Sequence, residues 1–161
     1  MARREEAMRI FKSGYNCSQA VVGVFCEEFG LDKETALKIS TAFGGGCRNG
    51  EVCGAVSGAL MALGLKEGHH VEGDVDTKDK AYSLTKEFIN RFKEKYDTII
   101  CKELLGHDLS IEGQKEIIKE KGLFDTLCPK LVMDAVETIE DMFELGDTEE
   151  SGINKDTVCH K

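Results

Sequence analysis

Proline occurs once in 161 residues, tryptophan is absent and tyrosine is limited to three. With so little proline, long helices can run without interruption. Positive charge is also short: 21 lysines and arginines stand against 30 acidic residues, a formal net charge of −9. Nucleic acid and anionic lipid both need a positive surface, so neither is an expected partner. The longest uncharged apolar-rich stretch, 52–65, falls short of the ~20 residues that span a bilayer. Membrane insertion is therefore not expected. The opening Met1-Ala2-Arg3-Arg4-Glu5-Glu6-Ala7-Met8 is charged and amphipathic, without the apolar core or cleavage site of a secretory signal. The expected location is the cytoplasm.

Apolar residues make up 41% of the chain and charged residues 32%, a balance that supports one folded soluble domain rather than disorder. No internal repeat or low-complexity tract is visible. We expect a helical domain over 1–145 followed by an acidic, mobile tail over 146–161. The segment 137–150 holds seven acidic residues and no basic one, which reads as a solvated helix face. A docking surface for a basic redox partner is the alternative.

Helical periodicity recurs along the chain. Ala7, Met8 and Phe11 mark a first helix over 3–12. Asn16 is a good N-cap for a second, in which Cys17, Ala20, Val21, Val24 and Phe25 share one face until the chain turns near Gly30. Asp32 caps a third, which stops before Gly44-Gly45-Gly46, a bent or flexible connector. A fourth helix is predicted from Glu51. There Gly50, Gly54, Gly58 and Ala62 recur every fourth residue and admit close backbone approach, placing this helix at the centre of the fold. Further helices are expected over 77–96, 98–105 and 111–121, with 68–76 as a polar loop. Pro129 suits the first turn of a last helix over 129–145. No run of β-branched residues alternates with period two. The predicted fold is all-α, a compact bundle of about six to seven helices around a central Gly/Ala-rich helix.

Cysteine is abundant, at seven residues. An odd count in a reducing compartment argues against a disulfide framework. Cys17, Cys53, Cys101 and Cys128 each fall at a predicted helix N-terminus. There, unpaired amides and the positive dipole end favour thiolate and can donate to cluster sulfurs. Cys26 is nine residues beyond Cys17, about 180° around the helix, and reads as a small buried hydrophobe. Cys47, in the glycine loop, could be a bystander or a resolving thiol for Cys53. Cys159, in the tail, reads as an exposed thiol.

Several shorter signals are weak. His69 and His70 form an exposed loop pair rather than a metal site, and His107 reads as a helix C-terminal residue facing free carbonyls. Gly44-Gly45-Gly46 lacks the Lys-Ser/Thr that completes a phosphate loop. The chain has no Cys-x-x-Cys-His, so covalent c-type haem is excluded; Val158-Cys159-His160 is half of that signature.

Four elements in order carry a resemblance. Gly14-Tyr15-Asn16-Cys17-Ser18-Gln19-Ala20-Val21, Phe43-Gly44-Gly45-Gly46, Glu51-Val52-Cys53-Gly54-Ala55-Val56-Ser57-Gly58-Ala59, and Cys101 followed by Cys128-Pro129-Lys130 resemble the C_GCAxxG_C_C family of redox-active proteins. The resemblance extends over roughly 4–143. Its four hallmark cysteines correspond to Cys17, Cys53, Cys101 and Cys128. Members are small, helical and largely from anaerobes. The family is also similar to the non-haem part of split-Soret-type cytochromes, which implies an iron–sulfur cluster on the cysteine set.

The chain lacks the closely spaced Cys-x-x-Cys ligands of ferredoxins. Intervals of 36, 48 and 27 residues speak against structural zinc and require folding to gather the ligands. The expectation is a redox protein that transfers electrons through an iron–sulfur cluster held by the four cysteines, [2Fe–2S] slightly favoured. Gly54 and Gly58 would let helices approach and the ligands converge. The redox partner is unknown, and a homodimer packed through apolar or glycine-lined faces is expected. Two alternatives stand: thiol–disulfide or peroxide chemistry by Cys53 with Cys47 resolving, and a helical interaction protein with inert core cysteines.

Overall fold

A computed structural model of the chain describes residues 1–146. Among them are eight α-helices and no strand. They are α1 (Arg3–Lys12), α2 (Cys17–Phe25), α3 (Lys33–Ser40), α4 (Gly54–Glu67), α5 (Val75–Tyr96), α6 (Cys101–Leu105), α7 (Gln114–Glu120) and α8 (Leu123–Met142). The fold is all-α, as the apolar spacing predicts. No helix among the described residues is long and apolar enough to cross a membrane. Cys159 and most of the 146–161 segment lie outside the described residues.

The helices begin and end where short-range chemistry directs. Asn16 Oδ1 accepts from the Gln19 amide, and Gln19 Oε1 accepts from the Asn16 amide, both at 3.0 Å. This reciprocal box fixes Cys17 as the first residue of α2. Asp32 caps α3 and Asp74 caps α5 through side-chain bonds to the amides of Thr35 and Thr77. Because Asp74 takes that role, α5 starts at Val75 rather than 77 and the preceding loop is shorter than the sequence suggests.

The pair α2 and α4 forms the centre, with α8 packed across α1, α2, α4 and α5. Their approach rests on two glycines. A Cβ on Gly58 would stand 2.6 Å from the Ser18 carbonyl oxygen, and one on Gly54 would stand 2.8 Å from Cys17 Sγ. Any side chain there would push α2 away from α4. The main core gathers Ile10, Val21, Phe25, Val56, Phe88, Phe92 and Val136. A smaller core at one end joins Cys101, Leu105, Ile118 and Cys128. Each buried aliphatic or aromatic side chain contributes roughly 1.5–3 kcal/mol by leaving water.

The sequence gives no sign that Arg3 is buried. Its guanidinium pairs with Glu28 at 3.0 Å and Glu140 at 3.2 Å, and donates to the Gly146 carbonyl. These bonds tie α1 to the turn after α2 and to α8. Glu137 likewise pairs with Arg4 and Lys95, so part of the acidic 137–150 stretch is neutralised by the fold itself.

Other boundaries differ from the sequence reading too: α6 starts at Cys101 rather than 98, and α7 spans Gln114–Glu120 rather than 111–121. Helix α2 stops at Phe25, and residues 26–30 turn instead. Helix α4 starts at Gly54, not Glu51, because Val52 pairs with Ile100 in an isolated antiparallel bridge. Helix α8 starts at Leu123, after the left-handed Gly122, so Pro129 lies inside it and not in its first turn. Proline's fixed φ suits a helix; its missing N–H leaves the Asp125 carbonyl without its usual donor. Burial of Leu131, Val132 and Val136 on the same helix offsets that lost bond.

Candidate functional site

The first cysteine is set by the Asn16–Gln19 box, whose Asn16 Nδ2 also donates to the Thr41 carbonyl. The second and third are set as a pair. The Cys53 amide donates to the Ile99 carbonyl at 2.8 Å, and the Cys101 amide to the Glu51 carbonyl at 2.6 Å. These bonds flank the Val52–Ile100 bridge. They lock the segment before α4 against the segment before α6. The fourth, Cys128, is carried by α8.

All four side chains line one cavity of about 340 Å³ at the seam between the two cores. Folding therefore brings together residues separated by 36, 48 and 27 positions. Cys53, Cys101 and Cys128 are buried and Cys17 is partly exposed. Among the described residues, no group of three or more His, Cys, Asp or Glu is gathered tightly enough to hold a single metal ion.

The electrostatics run against the simple helix-end expectation. Burial, reinforced by the neighbouring Cys17 charge, pushes the Cys53 thiol far above its ordinary range, although the nearby Ala55 and Val56 amides pull it the other way. Burial and Cys17 also raise Cys101 and Cys128, each to about 12. Desolvation thus outweighs the helix dipole at Cys53 and Cys101, and at Cys128 it acts alone with the neighbouring charges. Cys53 is the N-cap of α4 and Cys101 the first residue of α6, close to where the sequence puts them. Cys128, the sixth residue of α8, is not at a helix N-terminus, which corrects the sequence reading.

Cys26 is fully buried, its Sγ donating to the Gly23 carbonyl at 3.5 Å, and does not line the cavity. Cys47 is exposed and also absent from the lining. It belongs to a run of four left-handed residues, with φ of 64° at Gly45, 61° at Gly46 and 57° at both Cys47 and Arg48. Glycine tolerates this geometry, whereas each non-glycine residue costs roughly 1–2 kcal/mol. The connector is bent, and strained at its end. His69 and His70 are exposed. His107 bonds the Gln114 and Lys121 side chains rather than helix carbonyls, because α7 folds back over it.

Sequence reasoning missed the rest of the lining. Tyr15 and Arg48 sit beside residues it did single out, Cys17 and Cys47. Lys115 and Phe124 come from α7 and α8, and their spacing holds no signal for a cavity.

The fold and this cavity define a helical protein with four converging cysteines. The chain matches the family model described as "Putative redox-active protein (C_GCAxxG_C_C)" over residues 15–142. It belongs to that family. No curated protein and no solved structure matches it.

Proposed function

We propose that the protein carries electrons through an iron–sulfur cluster held by Cys17, Cys53, Cys101 and Cys128. One observation carries this reading: four cysteines from four remote segments line a single cavity. The donor set fits the group, since soft thiolates are the preferred ligands of iron–sulfur clusters. A cluster spreads its iron atoms in space and takes thiolates arranged around it, whereas a lone ion needs them gathered at one point. When bound, the cluster would supply one-electron storage.

The chain's own contributions are specific. The amides of Ala55 and Val56, at the start of α4 beside Cys53, favour negative charge on its sulfur. Leu104, Leu105 and Leu131 wall the cavity with apolar surface, which limits water around the sulfurs. Gly54 leaves room for Cys17 Sγ over the start of α4. Cys53, Cys101 and Cys128 must each give up a proton to bind metal, because burial keeps them protonated at neutral pH.

A thiol–disulfide reading with Cys53 attacking and Cys47 resolving has less support. Cys47 faces solvent outside the cavity, and Cys53 is buried with a strongly raised pKa, the reverse of an activated nucleophile. Protein purified without oxygen should be brown and contain iron and acid-labile sulfide. A colourless, metal-free product whose thiols are all reduced would overturn the assignment.

A further inference from the structure

The cavity holds more than thiols. Arg48 and Lys115 also line it, the first from the left-handed turn and the second from α7. Neither pairs with a carboxylate among the described residues, although eleven other ion pairs form there. Both side chains are exposed where the cavity opens, so water solvates them when no ligand is there, and an anion entering the cavity meets two cations not committed to a carboxylate. The backbone reinforces the point. Arg48 has a φ of 57°, and strain of this kind persists where surrounding structure holds it for a purpose. Its guanidinium rests against Gly45, where a Cβ would stand 2.9 Å from Nη1. Tyr15, 41% exposed, adds a hydroxyl that bonds nothing else among the described residues.

We propose that this part of the cavity binds a small organic carboxylate with an apolar body. The planar guanidinium fork matches a carboxylate, Lys115 adds a point charge, and Tyr15 can donate a third hydrogen bond. Phe11, Leu109 and Phe124 offer the body an apolar wall. The whole cavity is about 340 Å³, at the lower end of small-molecule sites, and the ligand shares it with the cysteine end, so the ligand is short. This inference names a ligand of the cavity already described, and rests on the redox reading only in taking that cavity as the working site.

Calorimetric titration of the full-length, anaerobically purified protein with hexanoate and with hexanamide tests it, alongside iron analysis of each preparation. Hexanoate should bind and the uncharged amide should bind at least about tenfold more weakly. Arg48→Gln and Lys115→Gln should each weaken hexanoate about tenfold or more while circular dichroism stays helical. Lys115 sits on an exposed helix, so its variant keeps the test valid should Arg48→Gln misfold. Equal affinity for acid and amide, or undiminished hexanoate binding in Lys115→Gln, would overturn the proposal. Absent hexanoate binding combined with iron loss in both variants would also overturn it, assigning the cations to the cluster's charge and leaving the cluster reading intact. Metal-free protein that still binds hexanoate selectively would sustain this inference and defeat the cluster.

Discussion

Val52 and Ile100 face one another in an isolated antiparallel bridge, and each is followed immediately by a cavity cysteine. One backbone contact in an otherwise helical protein thereby sets two of the four sulfurs. The bonds from the Cys53 amide to Ile99 and from the Cys101 amide to Glu51 make this a short, stiff clamp rather than a loop crossing.

Removal of a cavity sulfur should be distinguishable from removal of a core sulfur. Cys53→Ser is expected to lose most bound iron, whereas Cys26→Ser should keep it, since Cys26 lies outside the cavity. Iron and sulfide analysis of both variants, prepared identically, decides the matter. Equal iron contents would remove Cys53 from the ligand set.

Stability of the metal-free protein should fall with alkaline pH. Cys101 and Cys128 ionise near 12 when folded, against an ordinary value of about 9. Between those limits the unfolded chain has released protons that the folded chain retains, so raising the pH favours unfolding. The contribution is complete below pH 9 and is lost as pH rises toward 12. The loss should be on the order of 1 kcal/mol per pH unit for each thiol. Urea unfolding at pH 8 and pH 10, with Cys128→Ala as the control, should show the smaller pH effect in the variant.

The glycines of α4 should not be equivalent. Gly58→Ala places a Cβ 2.6 Å from the Ser18 carbonyl and should cost about 1–3 kcal/mol by forcing α2 and α4 apart. Gly64 has nothing within 4 Å of its would-be Cβ, so Gly64→Ala should gain roughly 0.5–1 kcal/mol from helix propensity. Thermal unfolding that ranks the two variants the other way would contradict the close packing of these helices.

Cys47→Gly should raise stability by about 1 kcal/mol, because it relieves a non-glycine residue at φ 57°. It should also leave iron content unchanged. Loss of redox function in this variant with iron retained would instead support a resolving thiol.

Much of the fold is legible in the sequence because apolar spacing encodes which face of a helix is buried. Phe88 and Phe92 on α5, and Val132, Ala135, Val136 and Ile139 on α8, are buried as their periodicity predicts. The boundary of α8 is not legible, since Pro129 reads as a start signal when only local preferences are weighed. Inside the fold, packing on both sides of Pro129 overrides that signal. The thiol pKa values are illegible for a related reason. A helix end can be guessed from residues nearby, but desolvation depends on what the rest of the chain lays over the sulfur. Arg48 and Lys115 are 67 positions apart and meet only through tertiary structure.

Cys128 completes the cavity and is also the last of its cysteines to leave the ribosome. Until Cys128 has been synthesised, three thiols wait without their fourth partner, and the clamp between residues 52 and 100 closes 28 positions earlier. A translation arrest or a cut upstream of α8 therefore leaves three thiols without the wall that Phe124, Cys128 and Leu131 lay over them.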